Sequence, residues 1–168
     1  MLDAGLFAGQ RFELIDGDLI DKRGQNPPHA YLIQILHLFL AKVLGGERVR
    51  AQIPIEAGIT DQERSLPEPD FAILVEPKGD YRRRHPRGDE LSLAIEVADT
   101  TLQFDTTTKR DLYARAGVPE YWVLDINGRR LIVHRNPSRG NFGQIESVPE
   151  DGVVSVGGAH IPVSELLP

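Results

Sequence analysis

The chain has no cysteine. That removes disulfides, thiolate zinc sites and a cysteine nucleophile at once, and it fits an expectation of a cytoplasmic protein. Long apolar runs are missing too. No stretch is long enough to span a bilayer, and the first residues lack a signal peptide's basic-then-apolar order, so no membrane role is expected. Positive charge is in deficit. The 19 Lys and Arg residues face 25 Asp and Glu, giving a net charge of −6 and a pI near 5.4. That balance argues against a protein that coats nucleic acid through bulk electrostatics. There is no Gly-x-x-x-x-Gly-Lys-Ser/Thr phosphate loop and no Gly-x-Ser-x-Gly elbow. The five histidines (His29, His37, His85, His134 and His160) show no zinc-ligand spacing.

The 168 residues suffice for one domain with a sizeable core, and residues 1–168 read as a single domain without repeats, linkers or low-complexity segments. Residues 1–10 have little periodicity. Arg11 to Ile20 reads as a hairpin turning at Asp16-Gly17, the strongest short turn signal present, with Glu13 on its first strand. Asn26 can cap a helix that Pro27-Pro28 opens and Gly45-Gly46 closes. Its broad apolar stripe of Leu32, Ile35, Leu36, Phe39, Leu40 and Val43 suits a helix buried on a sheet or on a partner subunit. His29, in the first turn, reads as a structural histidine. Val49 to Ile55 and Asp70 to Val75 read as strands separated by a proline-bearing loop. A basic loop follows, Tyr81-Arg82-Arg83-Arg84-His85-Pro86-Arg87. It is either a solvated loop or a phosphate contact.

Leu91 to Ile126 is the most informative stretch. Leu91, Leu93, Ile95 and Val97 share one strand face, while Ser92, Ala94, Glu96 and Ala98 share the other. One carboxylate therefore sits among small side chains, which points to close approach by another element or a ligand. Asp105 or Thr106 can cap the following helix, with Gly117 and Pro119 ending it. Lys109, Leu112, Tyr113 and Ala116 form its packed stripe, so a lysine heads the face that should meet the sheet. Tyr121 to Ile126 is the next strand, Asn127-Gly128 a hairpin turn, and Leu131 to His134 the returning strand. Asn136 to Gly140 reads as a loop, with short strands after it. The fold class is α/β (α+β), strand-rich at the centre with two main helices.

Asp70 at a strand start, Glu96 within a strand and Lys109 on a packed helix face form the best candidate constellation. Two acids without cysteine or clustered histidines suit a hard cation such as Mg2+. A nearby lysine can help deprotonate or orient water, or offset charge on a phosphoryl group. Metal-assisted phosphodiester hydrolysis needs such parts.

At Pro69-Asp70, at Ile95-Glu96-Val97, and along Asp105…Lys109…Tyr113-Ala114-Arg115-Ala116-Gly117-Val118-Pro119-Glu120-Tyr121-Trp122, the chain resembles the Uma2 family (DUF820). The family comprises restriction-endonuclease-like proteins of the PD-(D/E)xK nuclease superfamily. The similarity runs from Phe12-Glu13-Leu14-Ile15-Asp16-Gly17 to the strand after Asn127-Gly128, most of the chain. It implies a restriction-endonuclease-like core, a mixed central sheet flanked by helices. Asp70 and Glu96 then look like metal ligands for Mg2+ or Mn2+, Glu13 like an added acid and Lys109 like a migrated lysine. The superfamily carries its lysine two residues after the second acid, where this chain has Ala98.

These readings together predict a metal-dependent DNA endonuclease. Asp70, Glu96, Lys109 and Glu13 would form the catalytic set, with Arg82, Arg83, Arg84 and Arg87 as DNA phosphate contacts. A homodimer is expected, since restriction-type nucleases often use two sites for two strands. The competing readings are a catalytically inactive nuclease-like module that binds nucleic acid or self-associates, and a hydrolase of another phosphate ester.

Overall fold

A computed structural model describes residues 11–22 and 27–168. The segment 1–10 and the expected helix cap Asn26 lie outside those residues. The hairpin forms as its turn signal predicts: β1 (Phe12–Ile15) and β2 (Asp18–Asp21) pair antiparallel. Asp16 and Gly17 both take positive φ at the turn, the conformation that Asp-Gly dipeptides favour.

The core is a six-stranded mixed sheet in the order β3-β4-β5-β6-β7-β8. Its strands are β3 (Val49–Ala51), β4 (Phe71–Leu74), β5 (Leu91–Ala98), β6 (Glu120–Asp125), β7 (Arg130–Ser138) and β8 (Asn141–Pro149). Only β5 and β6 are parallel. Parallel neighbours need a crossover, and the helical stretch 102–115 supplies it. A small hairpin of β9 (Val153–Val156) and β10 (Ala159–Pro162) completes the strands.

Side-chain alternation along β4 and β5 sorts the core into two layers. Phe71, Ile73, Leu93, Ile95 and Val97 pack beneath helix α1 (Pro27–Leu44), together with Trp122 and the chain's last turns. Ala72, Ala94 and Ala98 face the other way, against Tyr113, Ala114 and Tyr121. The small residues there let the crossover helix approach closely. Glu96 belongs to this second face.

Three local expectations need correction. Asp105 does not cap a helix. Helical structure begins earlier, with α2 (Leu102–Phe104), passes through a π-helical turn at Asp105–Lys109 and ends as α3 (Arg110–Arg115). The loop expected at Asn136 to Gly140 is mostly strand, because β7 runs to Ser138 and turns at Arg139 and Gly140, both with positive φ. The strand after it, β8, is nine residues long rather than short. Gly117, with φ +80°, ends α3 as expected; Gly117 and Val118 donate their N–H groups to the carbonyls of Ala114 and Tyr113, the helix-closing arrangement that a left-handed residue permits.

Candidate active site

The register that pairs Phe71 with Ile95 brings Asp70 opposite Glu96, and side chains so placed lie about 5 Å apart at Cβ. Asp70 precedes the antiparallel β4 and Glu96 lies near the end of β5, so both carboxylates emerge at one end of the sheet. Asp70 Oδ2 accepts a hydrogen bond from the Val97 N–H at 2.9 Å. That bond ties the acid to the strand carrying its neighbour.

Lys109 reaches the same place from the crossover helix. Its ammonium lies 2.9 Å from Glu96 Oε1, 2.8 Å from Glu13 Oε1 and 4.0 Å from Asp105 Oδ1. The π-helical turn aims both Asp105 and Lys109 inward; single π turns inside α-helices occur often at functional sites. Tyr113, one turn further along, donates its hydroxyl to Glu96 Oε1 at 2.7 Å. Glu13 arrives from β1, and its Oε2 accepts the Glu68 N–H at 3.1 Å. Thus Glu13, Asp70, Glu96 and Lys109 meet, although 96 positions separate the first from the last in sequence. All four are at most 5% exposed. The stripe Lys109, Leu112, Tyr113 and Ala116 is buried as its spacing predicts.

They line a cavity of about 340 Å³. Its walls also hold Asp105, Lys22, His29 and Asp99, none of which the sequence marked as site residues. His29, which the sequence presents as a structural histidine, stands on the cavity wall. The basic loop lies elsewhere. It joins β4 to β5 at the end of the sheet opposite the acids, separated from Asp70 by the length of β4, about 13 Å. Arg84 there forms two 2.6 Å hydrogen bonds to Glu90, and Arg87 pairs with Asp89. Arg82 and Arg83 are exposed on the same loop.

The electrostatics follow from too many acids around one buried cation. Burial pushes the Glu13 carboxyl up, and Lys109 only partly offsets it. Burial and the charge of Glu96 push Asp70 up. Burial would also raise Glu96, but Lys109, Lys22 and the hydrogen bonds from Lys109 and Tyr113 outweigh it and hold that carboxyl low. Asp105 rises to about 7 through burial and the charge of Glu96, despite a hydrogen bond from Thr101. Lys109 is the converse. Burial would strip its proton, yet Glu96, Glu13 and Asp105 hold it on well above the ordinary lysine range. Lys109 is an ammonium at neutral pH.

Excess negative charge out of water is what a divalent cation would relieve. The donor set suits a hard ion. Among the described residues, the hydrogen bonds from Lys109 and Tyr113 to Glu96 both end on Oε1, and Asp70 Oδ1 accepts one from Gln52 at a long 3.4 Å. Both oxygens of Glu13, by contrast, are engaged by Lys109 and Glu68. Among the described residues no three acids or histidines form a ready-made cage. Two carboxylates with the remaining positions left to water is the arrangement Mg2+ favours.

A mixed sheet with paired acids at one end and a lysine reaching them defines a nuclease-like fold. The family model Uma2, described as "Putative restriction endonuclease", matches residues 3–162. The chain belongs to the Uma2 family. Its structure is similar to that of a protein from Anabaena variabilis ATCC 29413, described as a putative nuclease belonging to DUF820. The TM-score is 0.72 at 17% identity, over 92% of this chain and 88% of that one. No curated protein matches the sequence.

Proposed function

We propose that this member of the family is a metal-dependent endonuclease that hydrolyses phosphodiester bonds in DNA. The observation that carries the reading is the meeting of Glu13, Asp70, Glu96 and Lys109 at one cavity from four separate elements. Asp70 and Glu96, whose carboxylates meet at the end of the sheet, would hold Mg2+ or Mn2+. When bound, such an ion supplies Lewis-acid stabilisation of phosphoryl charge and lowers the pKa of water.

The protein's own groups do the rest. Tyr113 fixes the rotamer of Glu96 by its hydrogen bond. Glu13 holds the Lys109 ammonium beside Glu96 and is a positioning residue. Lys109, being protonated, cannot take a proton from water. Its role is to donate hydrogen bonds and to offset the negative charge that grows on the phosphoryl oxygens as the bond to phosphorus forms. Approaching from the helix, it replaces a strand lysine at the position of Ala98, which is fully buried.

The test is cleavage of supercoiled and linear DNA with Mg2+ or Mn2+. Asp70→Asn and Glu96→Gln should each lose activity at least a hundredfold while keeping the fold by circular dichroism, in line with loss of a principal charge-stabilising group. Undiminished cleavage by both pure variants sinks the proposal. If the wild type shows no cleavage of any DNA but binds it, the silent nucleic-acid-binding module takes its place. Ala98 and the net charge of −6 are the features that favour that second reading.

A further inference from the structure

The cavity raises a question that Lys109 does not answer. Among the described residues six carboxylates line it (Glu13, Asp21, Asp70, Glu96, Asp99 and Asp105) against two ammonium groups. A phosphodiester is itself an anion and must approach this field. Lys109 is poorly placed to draw it in, since it is 3% exposed and already engaged by Glu13 and Glu96. The arginine loop sits at the far end of the sheet. The other ammonium on the wall, among the described residues, is that of Lys22.

Lys22 follows β2 directly and extends the hairpin by one bond, donating its N–H to the Arg11 carbonyl at 2.9 Å. The hairpin also carries Glu13, paired with Ile20, so its shape fixes both residues relative to each other. Nζ of Lys22 donates to the Glu68 backbone carbonyl at 2.5 Å and stands 3.7 Å from Glu68 Oε1. That carboxylate is already paired with the Arg11 guanidinium. The side chain is 13% exposed, anchored but not sealed. An ammonium has three protons, and among the described residues its one hydrogen bond, to the Glu68 carbonyl, leaves donors for a ligand. Lys22 lines the same cavity as Glu13, Asp70 and Glu96, and its positive charge lowers the pKa of all three carboxyls.

Resting on the phosphodiester reading above, we propose that Lys22 is a substrate-binding residue that contacts a non-bridging phosphate oxygen of the nucleic-acid strand across the cavity from Lys109. The hairpin would then be a two-part device, with Glu13 orienting the buried lysine and Lys22 holding the phosphate. The plainer alternative is that Lys22 only straps the hairpin to Glu68. The two roles differ in what they move. A strap affects stability, whereas a phosphate contact affects binding and its dependence on salt.

The test uses the full chain with Lys22→Met, which keeps most of the aliphatic stem, and Lys22→Arg, which keeps the charge. Lys78→Met on the distant exposed loop is the control for net charge. Binding of a short fluorescent DNA duplex is measured with Ca2+, and steady-state cleavage with Mg2+, both across a salt series. Lys22→Met should weaken binding and raise KM about tenfold and reduce the slope of log K against log salt by about one. Its kcat should stay within a few-fold, Lys22→Arg should restore most of the loss, and Lys78→Met should leave the slope unchanged. Unchanged binding, KM and slope in Lys22→Met beside an active wild type overturn the proposal and leave the nuclease reading standing. A fall in kcat alone, or a loss that Lys78→Met reproduces, also overturns it. Lys22-dependent binding without cleavage keeps the contact and rejects the nuclease. Absence of both binding and cleavage in the wild type rejects both.

Discussion

At the scale of single residues the site is a problem of unbalanced buried charge. Removing Lys109 leaves Glu13 and Glu96 facing each other without their shared ammonium, and breaking a buried pair in this way costs about 3–5 kcal/mol. Lys109→Met should therefore abolish cleavage and lower Tm in metal-free buffer. Added Mg2+ should raise the Tm of this variant more than that of the wild type, because the ion replaces missing positive charge; calorimetry with and without metal reads both effects. An equal metal effect in the two proteins would show that the ion does not bind beside Glu96. Asp105 gives a pH-dependent counterpart. Its carboxyl titrates near 7 when folded, against 3.8 as the ordinary value. Between those values the folded state holds a proton that the unfolded state has lost, so the contribution of Asp105 to stability falls as pH rises from about 4 to 7 and levels off above. Asp105→Asn, which cannot ionise, should gain on the wild type across that window by on the order of a few kcal/mol. Denaturant melts at pH 4.5 and 7.5 without metal check it, and a difference that stays constant across the two pH values contradicts it.

At the scale of elements, the helical stretch 102–115 decides whether the site exists. The π turn at Asp105–Lys109 carries one residue more than an α turn would. Thr107 is exposed within it. Deleting Thr107 should heal the stretch into regular α-helix and rotate Asp105 about 100° relative to Lys109. Helicity by circular dichroism should persist while cleavage falls at least a hundredfold, the scale that misplacing a catalytic group by about 1 Å produces. Retained cleavage would show that the π turn is not what aims these residues. This turn also marks where the sequence stops being legible. The alternation of Leu93, Ile95 and Val97 against Ala94, Glu96 and Ala98 identifies the strand and its two faces, because period two is a local property. The stripe through Lys109 and Tyr113 is legible for the same reason. Asp105 is not, since an aspartate ahead of three threonines and a helical stripe has the same local chemistry whether it caps the helix or is buried near Lys109. Asn136-Pro137-Ser138 misleads in a related way. Turn-type residues sit inside β7, near a hairpin end where Pro137 opposes Phe142 and Asn136 takes φ +59°. Lys22 and His29 reach the cavity only through tertiary folding, and no spacing in the chain announces that.

At the scale of the whole molecule, helix α1 has a side the core does not use. Leu32, Ile33, Leu36 and Leu40 are buried against the sheet. Tyr31, Ile35 and Leu38 form a second apolar stripe at positions i, i+4 and i+7 and are 66%, 42% and 63% exposed. Continuous exposed apolar surface on a helix is disfavoured in a monomer and is found where partners dock. A second copy applying the same stripe would bury it isologously, the commonest way soluble chains pair. It would also give the assembly two cavities, one for each strand of a duplex. The expected outcome is a dimer for the wild type by sedimentation equilibrium. Leu38→Asp should be monomeric with Tm lowered only slightly, because Leu38 contributes little to the fold of its own chain. If the stripe also sets the spacing between two active sites, the variant should nick supercoiled DNA at near the wild-type rate while its conversion to linear product falls. A wild type that stays monomeric at its highest soluble concentration removes the interface. Nicking and linearisation that fall together in Leu38→Asp would instead tie α1 to the folding of the cavity, whose wall its first turn supplies through His29.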